Sequence, residues 1–298
     1  MKILHVAKHG KGCNDNEGAI GYALKQLGHR VKSISEATYD LDIDYKQQGY
    51  DLLLFQNWKN PPNLGRITVP HKVFWYMDRI DYGTDRILER WTTARMHWMR
   101  KVIPDITLGV CTDGDWVARD KTKKLIHLMQ GCDTRVAKMP FRPGTNYPML
   151  FTGSIYGRGE GRASWLKEMK QHYGSNFLFK TELYGSDLID TVHNTSIVLA
   201  PDGPVSDKYW SNRVYVMLSF GAFLMHPYCS LLAEQYKDGE EIVYYHSREE
   251  MHDKIGYYLQ RPQERWRIQQ AGFQRTMDEH TYKHRLQVIL TELEKRTS

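Results

Sequence analysis

The chain has 298 residues, enough for one large domain or two of roughly 150 residues each. With 41% hydrophobic and 26% charged residues it reads as an ordinary soluble globular protein. Four cysteines without a C-x-x-C pair argue against a zinc site or a disulfide scaffold and suit a reducing cytosol. The opening "MKILHVAKHGKG" is too short an apolar run for a signal peptide, and no stretch approaches the roughly 20 apolar residues of a membrane span. A cytoplasmic location is therefore expected. The net charge of +6 is unevenly spread. Residues 1–150 carry 23 Lys+Arg against 16 Asp+Glu, a net +7, and residues 151–298 carry 18 against 19, a net −1. An anionic partner is expected to meet the first half.

Taken in chain order, "KILHVA" is a short apolar strand, followed by a glycine-bearing loop and the helix "AIGYALKQLG". Gly28 ends that helix and "HRVKSIS" is the next strand, which makes a β-loop-α-β unit. Further strands are expected at "YDLLLFQ" (50–56), "KVFWYM" (72–77), "DITLGVC" (105–111) and "LIHLMQ" (125–130), with a helix-compatible stretch over 84–102. "MPFRPGTNYPML" (139–150), with three prolines and a glycine, reads as a linker. The pattern then restarts with "MLFTGSI", a glycine-rich loop and the helix "ASWLKEMKQHYG". After these come "FLFKTEL", "SIVLAP", a helix around 212–220, "AFLMHP" and "EIVYYH". A last amphipathic helix, "YKHRLQVILTELEK", is expected to pack back on the first domain. Strands alternating with helices predict an α/β protein of two Rossmann-like domains facing a cleft. The expected boundaries are 1–143, 144–280 and a C-terminal helix at 281–298. Two such domains suit a transferase that takes a nucleotide-linked donor.

Two segments of the second half have the chemistry to hold a diphosphate. "FTGSIYGRGEGR" (151–162) follows a strand and opens a helix. Gly153, Ser154, Gly157, Gly159 and Gly161 would let backbone amides approach a pyrophosphate, and Arg158 and Arg162 would add charge. The same composition also describes a surface loop before a helix. In "APDGPVSDKYWSNRVYVMLSFGAF" (200–223), Ser211, Asn212 and Arg213 stand where a helix begins, and Gly221 permits a tight turn into the next strand. Helix amides plus one guanidinium make a diphosphate site, and loop, cap and arginine agree in position. The plainer alternative makes Arg213 a surface residue and Ser211 an N-cap.

In the first half, "WYMDRID" (75–81) puts Asp78 just past a strand end, where a carboxylate would take the proton of an acceptor hydroxyl. It would equally serve as a partner for Arg79 or a turn cap. Asp81, Asp113 and Asp115 are rival bases. His5 and His9 flank the first loop. Glu17 and Gly18 open the first helix, whose amide end faces the expected cleft, so Glu17 joins Asp78 as a catalytic candidate. Read as one helix, "DRILERWTTARMHWMRK" (85–101) gathers Arg86, Arg90, His97, Arg100 and Lys101 within an arc of roughly 100°. Ile87, Trp91, Trp98 and Val102 adjoin it. A basic stripe beside aromatics suits phosphate backbones or lipid headgroups, or is simply a solvated cationic face. Arg86, Arg90, Trp98, Arg100 and Lys101 are its candidate acceptor-binding residues.

The segment "HNTSIVLAP…SNRVYVMLSFGAFLMHPYCSLLAEQYKDGEEIVYYHSREEM" resembles the donor-domain signature of GT-B glycosyltransferases of the CgeB-like, glycosyltransferase 1-4-like branch. The pattern there is roughly N-x-S-K-I-x-L-N…S-x-R-x-F-E-A-x-A-C-G-A-F-L-L. "GYALKQLGHRV", "HKVFWYMDRID", "HLMQGCD" and "MLFTGSIYGRGEGR" are similar to further, weaker anchors, so the resemblance spans nearly the whole chain. It implies a GT-B fold, a nucleotide-sugar donor (UDP-glucose or another UDP-hexose), and transfer without a metal held by the protein, Mg²⁺ remaining compatible. Arg213 matches the pattern. The family's ribose-binding glutamate falls at Val216, and Asp202, Asp207 or Glu234 would have to replace it. Three readings follow. The chain glycosylates hydroxymethylated bases of DNA, as viral DNA glycosyltransferases do. It builds a cell-surface or spore polysaccharide. Or it is a catalytically inactive nucleotide-sugar-binding protein.

Overall fold

The computed structural model describes residues 1–8, 16–35, 48–56, 67–80, 96–97, 99–143, 145–153, 159–201 and 206–297, with residues 159 and 160 described for backbone only. The chain divides into two compact units. Among the described residues, the second unit is Gly131–Thr281, and the first takes those up to Gln130 together with those from Tyr282 onward.

The first unit is built on a six-stranded parallel sheet of β1 (Lys2–Ala7), β2 (Arg30–Ser35), β3 (Leu52–Gln56), β4 (His71–Tyr76), β5 (Leu108–Cys111) and β6 (Leu125–His127). Their order is β2-β1-β3-β4-β5-β6. The inner strands are apolar throughout because both sheet faces are covered. Leu53 and Phe55 enter one core with Leu4, Val6, Phe74 and Tyr76. Their neighbours Leu52 and Leu54 enter the opposite core with Ile3, Val73 and Trp75, as the period of two requires. Helix α1 (Asn16–Gln26) covers that second face beside the last helix of the chain, Tyr282–Thr297. Tyr282, Leu286, Ile289 and Leu293, spaced four, three and four apart, form the buried stripe of that last helix. On the first face, residues 96–97 and 99–102 are helical and bury Met99 and Val102. Pro104 and Asp105 then turn in a short 3-10 segment, Ile103–Asp105, so β5 starts three residues later than the sequence suggests. Helix α2 (Gly114–Ala118) joins β5 to β6.

The second unit has a five-stranded parallel sheet of β7 (Tyr147–Thr152), β8 (Phe177–Lys180), β9 (Thr195–Leu199), β10 (Leu224–Pro227) and β11 (Val243–Tyr245), ordered β11-β10-β9-β7-β8. The stretch read as a linker is therefore shorter, since Tyr147 already pairs with Thr195. Helices α3 (Gly159–Tyr173), α4 (Gly185–His193), α5 (Arg213–Ser219), α6 (Ser230–Ala233), α7 (Arg248–Leu259) and α8 (Pro262–Glu279) complete it. The Tyr282–Thr297 helix is α9. Gly221 has φ +66, and a Cβ there would strike Met139 and Pro140, so the turn into β10 requires glycine. No described helix is long and apolar enough to cross a membrane.

Candidate functional site

In an open parallel sheet, ligands gather beyond the carboxyl ends of the strands, where the strand order reverses. In the second sheet that point lies between β7 and β9. Two arginines are fixed there. Arg213, the first residue of α5, donates from Nε to the Thr152 carbonyl at 2.9 Å and from Nη1 to Ser211 Oγ at 3.3 Å. Its guanidinium lies against Gly153, which has φ +150, and a Cβ at Gly153 would overlap Nη2. The glycine that leaves the strand is thus also the surface on which the arginine rests. Arg162 comes from the first turns of α3 and donates from Nη2 to the Pro201 carbonyl at 2.8 Å. Both guanidinium carbons stand over the Phe151 ring, at 5.0 Å for Arg213 and 5.5 Å for Arg162. Phe151 is itself held by Phe179, stacked at 5.7 Å, and by the Trp165 edge at 5.4 Å. The result is a preorganised cationic pair on an aromatic floor.

The two arginines differ in exposure. Arg162 is 4% exposed, and its charge serves mainly to tie α3 to the end of β9. Arg213 is half-buried and presents its fork at the switch point. The start of α5 also departs from expectation. Its N-cap is Asn212, whose side chain makes no cap bond, and Ser211 binds the arginine instead of capping. Val214 N already donates to Ser211 O at 3.2 Å and Val216 N to Asn212 O at 3.1 Å, so these two amides are committed within the turn. Val216 is half-buried one turn after Arg213, on the same face of α5. Of its proposed substitutes, Asp207 binds Ser230 N at 3.4 Å, Glu234 is exposed at the end of α6, and Asp202 lies outside the described residues. Ser154 and Arg158 lie outside them as well, with Gly157.

In the first sheet, strand order reverses between β1 and β3. His5 on β1 is fully buried and bonds Gln56 Oε1 on β3 at 2.7 Å and Ser33 Oγ at 3.4 Å, so it is a structural bridge. Beyond β4, the Asp78 carbonyl accepts from Thr112 Oγ1 at 3.0 Å, and its carboxylate accepts from Arg79 N at 2.8 Å. Asp78 remains half-buried at the strand's carboxyl end. Asp113, its rival, is 1% exposed and fully engaged. Oδ1 caps α2 through Trp116 N at 2.9 Å, and Oδ2 accepts from Ile80 N at 2.8 Å. The neighbouring Cys111 thiol is pushed up by burial and then by the Asp113 charge, which leaves it unreactive. Glu17 is half-buried in the first turn of α1, and Asp115 in the first turn of α2. Gln130 completes the edge by donating to the Met77 carbonyl at 2.7 Å. His9 and Asp81 lie outside the described residues.

The basic stripe divides. Arg86, Arg90, Arg95 and Trp98 are outside the described residues. Arg100 and Lys101 are exposed, but they precede β5 and so stand at the amino ends of the strands, opposite Asp78. Sequence reasoning missed the anchors of the arginines, Thr152 O and Pro201 O, because carbonyl acceptors leave no trace in side-chain type. The buried Gln56–His5 and Gln130–Met77 bonds were missed for a related reason. The glutamines stand at strand ends without a motif.

Residues 143–291 match the glycosyl transferase-like family. No curated protein matches the chain in sequence. Among solved structures, the chain is similar to sucrose-phosphate synthase from Thermosynechococcus elongatus, with TM-score 0.67, 11% identity, and coverage of 99% of this chain and 100% of that one. HepE of Anabaena, solved with UDP and glucose, gives TM-score 0.62 at 12% identity over 99% and 100%. BGT of phage T4, solved with its UDP-glucose substrate, gives 0.60 at 12% over 98% and 99%. At such identities the likeness bears on fold, and all three agree with two parallel-sheet α/β units. The family match spans half of the chain and covers the strands and helices that place Arg162 and Arg213. The protein therefore belongs to the glycosyl transferase-like family and is a glycosyltransferase of the GT-B fold.

Proposed function

We propose that this glycosyltransferase moves a hexose, glucose, from a UDP-sugar to a hydroxyl of an anionic acceptor, hydroxymethylated bases of DNA. The observation that carries the donor half is the Arg213 guanidinium, held on Gly153 and Thr152 O at the strand-order reversal of the second sheet. The departing UDP takes on one further negative charge as the bond between the sugar's anomeric carbon and its phosphate oxygen breaks, and the demand for a cation there rises. A fork already fixed in place meets that demand without reorganisation. HepE and BGT, which share the fold, were solved with UDP and glucose and with UDP-glucose. In the first unit, Asp78 is the base that takes the acceptor proton, and Glu17 at the start of α1 orients the acceptor or sugar. Asp113 is excluded from that role because both its oxygens are committed to amides.

The acceptor half rests on charge. The first 150 residues hold a net +7 while the rest is nearly neutral. A polyanion would be drawn to the former, with affinity falling steeply as salt rises. A duplex base would have to flip out of the stack to meet Asp78. The test is UDP release from UDP-glucose with hydroxymethylpyrimidine DNA and unmodified DNA in parallel, at low salt. Release with the hydroxylated DNA alone is expected. Release with neither, alongside tight UDP binding, would remove DNA as acceptor and leave the donor assignment standing. Failure to bind UDP would remove the donor assignment too.

A further inference from the structure

Asp78 leaves β4 between two peptide planes, and each plane is pinned by a side chain from elsewhere in the first unit. The carbonyl before it, Met77 O, accepts from Gln130 Nε2 at 2.7 Å, and its own carbonyl accepts from Thr112 Oγ1 at 3.0 Å. A peptide unit is planar, so holding the planes on both sides of one Cα fixes its two backbone dihedrals and the direction of its Cα–Cβ bond. The Asp78 carboxylate is then left with its own side-chain rotamers, and one of its oxygens accepts from Arg79 N at 2.8 Å. Asp113, by contrast, bonds Ile80 N, two residues past Asp78.

Both pins are themselves held. Thr112 follows β5 and is fully buried, and its backbone N donates to Tyr76 O at 3.1 Å, which carries the pairing of β4 and β5 one step past the strands. Its β-branched side chain has little χ1 freedom, so the backbone aims the hydroxyl. Gln130, beyond β6, is buried, and its carbonyl accepts from Arg285 Nε at 3.0 Å. Arg285 is buried too, in the first turn of α9, so the last helix supports the residue that holds Met77. We propose that Thr112 and Gln130 are positioning residues for the acceptor base. The hydroxyl and the amide hold the two peptide planes of Asp78 so that its carboxylate meets the acceptor proton. This assignment rests on the reading of Asp78 as that base. Such precision matters, because a catalytic group misplaced by about 1 Å loses on the order of 10² in rate.

The test is a double-mutant cycle on the full chain. Thr112→Val keeps the shape and deletes the hydroxyl, and Gln130→Met keeps the length and deletes the amide donor. Each is made alone and together with Asp78→Asn, and either suffices should the other fail to fold. UDP release from UDP-glucose is followed per folded molecule, with hydroxymethylpyrimidine DNA and with water alone as acceptors. Each single variant should lower kcat about tenfold with donor KM unchanged, and should change it less than about twofold in the Asp78→Asn background. Thr112→Ser, which keeps the hydroxyl, should recover most of the loss. Crystal structures of Thr112→Val and Gln130→Met should show the Asp78 carboxylate displaced from Arg79 N. Equal losses of kcat in both backgrounds overturn the proposal and leave Asp78 as the base, since the effect would then be a general disturbance of the strand ends. Unchanged kcat in the single variants, or an Asp78 carboxylate in its wild-type place, overturns it in the same way. Full turnover by Asp78→Asn, or no UDP release by the wild type with either acceptor, removes the base reading and the two positioning roles with it.

Discussion

The carboxyl edges of the two sheets solve opposite electrostatic problems with the same architecture. At the edge of the second sheet, two arginines donate to strand-end carbonyls, Thr152 O and Pro201 O, over one phenylalanine. At the edge of the first, carboxylates accept from backbone amides, Asp78 from Arg79 N and Asp113 from Ile80 N and Trp116 N. The backbone serves as acceptor in one unit and as donor in the other. On the proposed reading one edge receives negative charge and the other, through Asp78, a proton. That division is what glycosyl transfer from a diphosphate donor to a hydroxyl asks of a two-unit enzyme.

The sharpest way to break this comparison is to neutralise Asp78, the proposed base. Asp78→Asn keeps the Thr112 contact, which uses the Asp78 carbonyl, and retains a side-chain oxygen that can accept from Arg79 N, while removing the carboxylate's charge and basicity. We expect kcat for UDP release to fall by ~10²–10⁴ with donor KM unchanged. Full turnover would end the assignment of Asp78 as base. On the cationic edge, Arg213→Ala should lower kcat/KM by about 10²–10³. Arg213→Lys should recover little of it, since an ammonium retains the charge but not the planar fork. Steady-state kinetics over donor concentration read both variants.

Two stability predictions then separate structural from chemical roles. Asp113→Ala removes the α2 cap and strands the buried Ile80 amide, so a loss of about 2–4 kcal/mol is expected in denaturant unfolding. Its residual activity per folded molecule should stay near wild type, in contrast with Asp78→Asn. Gly153→Ala forces a Cβ into Arg213 at a φ that L residues avoid, which costs about 1–3 kcal/mol. It should raise donor KM because the guanidinium must move, and a crystal structure or UDP titration would register the displacement.

How much of this was legible in sequence depends on what each element buries. The strands were found because buried parallel strands are short apolar runs, such as Leu52–Leu54 and Ile197–Leu199. α8 was not, because its inward face is largely polar. Arg265 donates to the Tyr258 carbonyl, Gln269 to the Gly221 carbonyl at 2.8 Å and Thr276 to the Gly272 carbonyl at 2.7 Å, so no apolar stripe marks it. α4 and α7 also went unread, the first being only nine residues long. The placing of Arg213 at the start of a helix was legible from the residues around it. Its bond to Thr152, 61 residues away, was not, because the acceptor is backbone. Asp78 and Asp113 both follow strands and look alike in sequence. Only the five-residue helix α2, too short for periodicity to reveal, tells them apart.

The smallest predicted effect lies on the outer surface of the second unit, away from either edge. Glu168 of α3 bonds His252 Nε2 at 3.0 Å and pairs with Arg248, both of α7, and Tyr173 Oη bonds His252 Nδ1 at 2.7 Å. The His252 hydrogen bond, and then Arg248, hold the Glu168 carboxyl below its ordinary value, while burial pushes the Tyr173 hydroxyl up to about 12. A carboxyl whose pKa is depressed on folding adds stability above its unfolded value of roughly 4.3 and loses it as pH falls through the folded value. Glu168→Gln should therefore narrow the gap to wild type progressively below that pH and leave it constant above. The pair is largely solvent-screened, so the plateau should not exceed ~1 kcal/mol. Urea midpoints at steps from neutral pH to strong acid measure the gap. A difference that persists undiminished in acid would show that Glu168 acts through packing between α3 and α7, and that the charge contrast between the two units is confined to their strand ends.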